Sequence, residues 1–427
     1  MVKQYLLFFA VIHFMKQIIT PFFKGMRPLE VSQYLILGLM AIVLPFSWVP
    51  MTWLLGLLVV NTCLLVVANH KLGNQSLQKW ARWSLWLLVA FYMLQIVSLL
   101  YTSNMDDAVT MLMHRLPLLL FPLCCLACDT AYMTRGRQRM LVWLLTGSLF
   151  VKFFIRLVYV LCTSHKIVFS NLFDPVHHSY VAMYLLFVLG FVYSEWFQHR
   201  DELKRWMLWA LAIIAVVTMT YIVLVISRAG IAGMVLLILI IIFHLVFIAK
   251  EVKLGMVALA LTVAVGVGVF YLLPEDYRRL TRTFEEMSEG DTSDARYLIF
   301  GSSLKAIGES LPFGVGIGDR GDVLAQVYEE TGEEYAIKAQ YNSHNIYLDA
   351  TLTMGIPGIL LLLAVFVVPA VGAYKRDDFI MLSLLFSITF SGLFEAVLNR
   401  QMGVVFMGLF WFVLLSGNRL EHKQPSL

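Results

Sequence analysis

The chain has 427 residues, of which 60% are apolar and only 14% charged, and its mean hydropathy is +0.78. A water-soluble domain of this length carries far more charge, so that class is excluded. The formal net charge of +4 is too small and too scattered to argue for nucleic acid as a partner.

Taken in order, apolar runs near span length recur from one end to the other. A bilayer core of about 30 Å needs roughly 20 such residues per helix. Backbone polar groups in lipid must be satisfied internally, so the runs read as helices packed on helices. Residues 5–23 are apolar but interrupted by His13, Lys16 and Gln17, with Pro21 near the end, which favours an interfacial helix over a span. Lys16 and Lys24 follow that stretch without a small-residue cleavage site, so no cleavable signal peptide is expected. Spans are expected at about 31–47, 51–68, 83–100, 116–128, 140–162, 179–197, 206–226, 231–248, 254–273, 346–373, 379–393 and 404–415. This is an all-α, polytopic membrane protein of about twelve transmembrane helices in one membrane domain covering 1–427, with one long polar loop at 274–343.

The short connections alternate in charge. One set holds His70, Lys71, Lys79 and Arg82; Arg135, Arg137 and Arg139; Arg200, Lys204 and Arg205; Lys250 and Lys253; Lys375 and Arg376; and Arg419, His422 and Lys423. The intervening short connections carry few Lys or Arg. The positive-inside rule therefore places both termini in the cytoplasm and the long loop on the outer face. Cys63, Cys124, Cys125, Cys128 and Cys162 fall in or beside apolar runs and read as small apolar fillers. No internal repeat is visible, which weakens a transporter reading.

His344, in Ser343-His344-Asn345-Ile346-Tyr347-Leu348, sits where the long polar loop meets an apolar run. Imidazole changes protonation near neutral pH and can act there as a base; the competing reading is a histidine resting in the headgroup layer. Three cationic elements belong with it. Arg228 lies in the tight outer hairpin Ser227-Arg228-Ala229-Gly230, where its planar fork suits a phosphate or diphosphate, unless it only snorkels. Arg296 falls in the first turn of an expected amphipathic helix, with apolar residues at 297, 300, 304, 307 and 311 and Ser293 or Asp291 as its cap; a solvated charge is the plain alternative. Lys152 and Arg156 stand four apart on one face of a span and can line a polar cavity. His177 and His178, at the outer end of the next span, are candidates to line the same cavity.

Pro312-Phe313-Gly314-Val315-Gly316-Ile317-Gly318-Asp319 has a glycine run, but no strand precedes it, so it reads as a turn rather than a nucleotide loop. Asp322 is expected to cap a second loop helix over about 323–330, and Glu329, Glu330, Glu333 and Glu334 read as a solvated surface. Asp106 and Asp107 lack further ligands, so no metal is expected.

On Ser227-Arg228-Ala229-Gly230, Arg296 with Pro312 to Gly318, and His344-Asn345-Ile346-Tyr347-Leu348 with Gly355-Ile356-Pro357-Gly358, the chain resembles the O-antigen ligase family, which shares its membrane domain with O-antigen polymerases and protein O-oligosaccharyltransferases. The resemblance implies a glycosyltransferase-C-like membrane enzyme without cofactor. It would move a glycan from undecaprenyl diphosphate to an acceptor hydroxyl, outside the inner membrane and without metal. Arg228 and Arg296 would hold the diphosphate and His344 would assist the acceptor. Asn345, Lys152, Arg156, His177 and His178 are carried as substrate-binding candidates. Direct displacement would invert the anomeric centre, since no obvious carboxylate nucleophile accompanies the three. Lipid A–core is the leading acceptor, a glycan repeat the second and a protein hydroxyl the third. A lipid-linked glycan flippase, the non-enzyme alternative, would spread charge through its spans.

Overall fold

The computed structural model describes residues 22–74, 76–163, 176–225, 227–272 and 295–416. The interfacial helix expected at 5–23, the caps Asp291 and Ser293, the first part of the long loop and the basic residues beyond 416 lie outside them, as does the side chain of Arg296. The helices in chain order are α1 (Pro28–Val43), α2 (Val49–Asn69), α3 (Lys79–Val97), α4 (Met105–Arg115), α5 (Pro117–Ala127), α6 (Arg135–Thr163), α7 (His178–His199), α8 (Arg205–Leu224), α9 (Arg228–Phe243), α10 (Val252–Leu272), α11 (Ala295–Ser310), α12 (Arg320–Thr331), α13 (Glu334–Ala339), α14 (Ile346–Tyr374), α15 (Phe379–Ser391) and α16 (Gln401–Ser416). No strand occurs among the described residues.

Among the described residues, seven helices are long and apolar enough to cross a membrane, and α4 with α5, bent by 41°, would make an eighth. This is fewer than the expected twelve or so, because α1, α15, α16 and the described part of α10 are apolar but shorter. The protein is a multi-pass membrane protein. Its centre is α7 and α16, which are apolar on every side and buried along nearly their whole lengths. Outer helices leave large apolar side chains exposed on one side, as Trp53, Ile213 and Val263 show, which is the pattern of a lipid-facing surface.

Hydrogen bonds and ion pairs sort the helix ends into two faces. At one, Arg135 pairs with Asp378, Arg139 with Glu195 and Arg200 with Glu251, so the basic connections gather together. At the other lie the Trp48 turn, the end of α3, the start of α4, the loop helices and the segment 342–346.

The glycine run has a structural task at this second face. Pro357 has no N–H, so the Thr353 carbonyl of α14 lacks its helical partner; Gly316 N donates to it at 3.0 Å. Gly355 leaves helical geometry at φ 63°, ψ −149°. Ile356 N turns to Pro312 O at 2.9 Å, and Val315 N takes the released Leu352 carbonyl at 2.8 Å. A Cβ at Gly314 would meet Leu352 O at 2.6 Å, and one at Gly316 would overlap Thr102. The two motifs are therefore one interlocked piece, with its irregular backbone satisfied by protein as a membrane requires. The run is a backbone wedge, which gives the expected turn a specific role.

The loop helices form a small apolar cluster over α14 through Ile299, Ile307, Leu324, Tyr328 and Leu352. Of the stripe expected on α11, Ile307 is buried there, while Leu304 and Leu311 stay exposed. The expected cap at Asp322 is corrected: α12 starts at Arg320, and Asp322 inside it accepts from Asn104 Nδ2 at 2.8 Å. Asp319, just before α12, accepts from Ser103 N at 2.9 Å and Asn104 N at 2.7 Å, fastening the wedge to the α3–α4 turn.

Candidate active site

Asn345 starts α14. Its Oδ1 accepts from Tyr347 N at 2.8 Å and Leu348 N at 3.0 Å, satisfying two of the helix's free donors. Its amide donates to Leu393 O at 3.0 Å, and Ile346 N donates to Gly392 O at 2.8 Å. These bonds clamp the start of α14 onto the turn after α15. His344, one residue earlier, is held at φ 43°, a left-handed conformation uncommon for a side-chain-bearing residue, and its N–H donates to Asn342 Oδ1 at 2.9 Å. Held backbone of this kind gathers at functional sites.

The clamped turn carries Glu395. His344 Nδ1 and Glu395 Oε1 lie 3.3 Å apart, both side chains partly buried. A carboxylate only accepts, so the ring proton belongs on Nδ1 and Nε2 is left as the acceptor. Tyr341 meets the imidazole edge-on, with centroids 5.3 Å apart. The arrangement is a histidine held against a carboxylate.

These groups line a cavity of about 530 Å³, whose wall also includes Trp48, His114, His177, Arg400 and Gln401. Glu395 is the acidic residue of that wall, and Arg400, exposed, is its basic one. Behind it lies a buried ion network. Asp349 accepts from Arg115 Nη2 at 2.6 Å, Arg320 Nη1 at 2.7 Å and Asn399 Nδ2 at 2.9 Å. Arg115, itself fully buried, also reaches Gln95 and Asn399. The network fixes the residue before Arg400 to α14, the end of α4 and the start of α12. The cavity wall thus holds a histidine–carboxylate pair and one arginine.

Sequence-predicted residues divide accordingly. His344 and His177 share the cavity. The His178 ring lies tilted against His177 at 4.0 Å between centroids and is outside the lining. Asn345 is engaged in the helix cap described above. Lys152 is buried and donates to Pro45 O at 2.8 Å, and Arg156 lies over the Tyr159 ring at 5.2 Å; neither lines the cavity. Arg228 is exposed in the first turn of α9, after Ser227, whose Oγ accepts from Gly230 N at 3.1 Å. Gly230 lets α9 approach α7, since a Cβ there would stand 2.7 Å from Ala182 Cβ. Asp106 and Asp107 occupy the first turn of α4, where carboxylates suit the helix dipole.

The sequence reading did not assign Glu395, Arg400 or His114 to the site, where the structure puts Glu395 beside His344. The available signal was two charged residues confined to a short turn between apolar helices, on the same face as His344.

A cavity thus lies at one face of the helical membrane bundle, with a histidine facing a carboxylate and an arginine in its wall. Residues 213–363 match the model of the family described as O-antigen ligase. The matched stretch holds Arg228, Arg296, the wedge, His344 and the α14 kink, and ends before Glu395 and Arg400. No curated protein matches the chain. The family carries glycosyltransferase activity of the O-antigen ligase or polymerase type.

Proposed function

We propose that the chain transfers a glycan from an undecaprenyl-diphosphate carrier to a hydroxyl of lipid A–core, at the periplasmic face of the inner membrane. The observation that carries this reading is His344 Nδ1 facing Glu395 at 3.3 Å in a cavity that also holds Arg400. Nε2 of His344 takes the acceptor's proton as its oxygen attacks the sugar C1. The bond from C1 to the diphosphate oxygen breaks, and the electron pair leaves with the diphosphate. Arg228 and Arg296 neutralise that growing charge as planar donors. Because Glu395 is engaged with His344, the acceptor oxygen is the nucleophile rather than the carboxylate, and the anomeric centre inverts. The reaction asks no metal of the protein, since arginine supplies the positive charge.

The acceptor is tested by deleting the gene and separating the surface polysaccharide on a gel. Loss of a ligase gives bare core together with free lipid-linked polymer. Single repeats on core would instead assign polymerisation, and an unchanged ladder would remove both readings.

A further inference from the structure

At the end of α14 remote from His344, a groove of about 600 Å³ runs between α14 and α3. Its walls are Val367, Val371 and Gly372 of α14 and Trp80 of α3, and Lys375 and Arg376 close its end. Gly372 packs flush on the Trp80 indole, where any Cβ would overlap the ring. The Arg376 guanidinium lies over that ring, 6.0 Å from its centroid, so its charge is held at the groove mouth. The neighbouring acids are turned elsewhere. Asp378 is buried against Arg135 at 2.7 Å, while the Asp377 carbonyl accepts from Gln198 at 2.6 Å and its carboxylate acts on His244. Val367 and Val371 are about half exposed on the surface that faces lipid.

We propose that this groove binds a phospholipid with an anionic headgroup. The shape is complementary along its length: apolar walls for an acyl chain, then two cations that form no ion pair among the described residues, where the headgroup layer begins. Basic residues at such a position attract anionic headgroups, and the aromatic ring fits the interface between tail and head. The site stands apart from the His344 cavity, at the opposite end of a helix of 29 residues, and does not rest on the proposed reaction.

The test is native mass spectrometry of the full-length protein, with phosphatidylglycerol or phosphatidylcholine of identical chains added. The wild type should retain phosphatidylglycerol about thirtyfold better than phosphatidylcholine, the scale expected for two interfacial cations. The double variant Lys375→Gln with Arg376→Gln should lose that preference while running as the same monodisperse species. The double variant Val367→Trp with Val371→Trp keeps both charges, fills the groove from its lipid side, and should also lose retained lipid. Equal retention of the two lipids by the wild type would overturn the proposal, as would full retention by either variant. A dimer that falls apart when the groove is filled would put a second copy of the chain there, with the same consequence.

Discussion

His344 and Glu395 are separated in sequence by the whole of α14 and α15, yet Nδ1 and Oε1 meet at 3.3 Å. Two backbone-directed bonds bring them together, from Ile346 N to Gly392 O and from the Asn345 amide to Leu393 O. The carboxylate therefore arrives with the same clamp that starts α14.

That pairing yields a prediction about roles. Glu395→Gln removes the carboxylate charge while keeping the shape, and should slow transfer by about tenfold or more with donor binding preserved, as for an orienting partner of a base. The product should carry the inverted anomeric configuration, read by NMR of the linkage. Retention of configuration, with a glycosyl ester trapped on Glu395 and seen by peptide mass spectrometry, would make Glu395 the nucleophile instead.

The arginines are expected to behave differently from the base. Arg228→Ala or Arg296→Ala should weaken donor binding and slow transfer together, by about 2–3 kcal/mol where each bond is charge-assisted. Lysine at either position should restore only part of the loss, because an ammonium lacks the fork. Donor affinity measured in nanodiscs alongside turnover separates these effects; a full rescue by lysine would reduce the arginines to point charges.

The network behind the cavity gives a stability prediction. Asp349→Ala leaves Arg115 charged, buried and short of its main partner, and should cost about 3–5 kcal/mol. Arg115→Met together with Asp349→Leu should cost clearly less than the single change, since the fully buried Arg115 charge is gone and only the less buried Arg320 loses its carboxylate partner. Thermal unfolding of the detergent-solubilised variants measures both; an additive double variant would show that the pair is not coupled.

Much of this was legible in the chain, for physical reasons that differ by residue. Apolar runs and the alternation of basic connections report lipid contact and face directly, so the bundle and its two faces could be read from one sequence. His344 was legible because it sits at a polarity seam. Glu395 and Arg400 were not, because the 392–400 turn is a short outer connection like several others until hydrogen bonds pin it to Asn345 and Ile346. Lys152 and Arg156 looked like cavity cations by their spacing. A helical repeat gives a shared face but not which neighbour meets it, and here Lys152 meets the Pro45 carbonyl. The Pro312–Gly318 run and the Gly355–Gly358 motif could each be seen, but not that one satisfies the carbonyls freed by the other. The number of spans is the reading least fixed by composition, since α15 and α16 are apolar yet short.

A chelator test addresses the electrostatics of the reaction. Transfer in purified membranes should continue in excess EDTA, because arginine is proposed to carry the charge that a metal carries elsewhere. Loss of activity that magnesium or manganese restores would direct attention back to Asp106 and Asp107.

The most direct measurement is donor affinity and single-turnover rate of His344→Ala in nanodiscs, beside the wild type. If His344 is the base, donor affinity stays near the wild-type value while transfer falls by about 10²–10⁴-fold. A variant that loses donor affinity but transfers at the wild-type rate when saturated would contradict this, and would make His344 a ligand of the donor's headgroup.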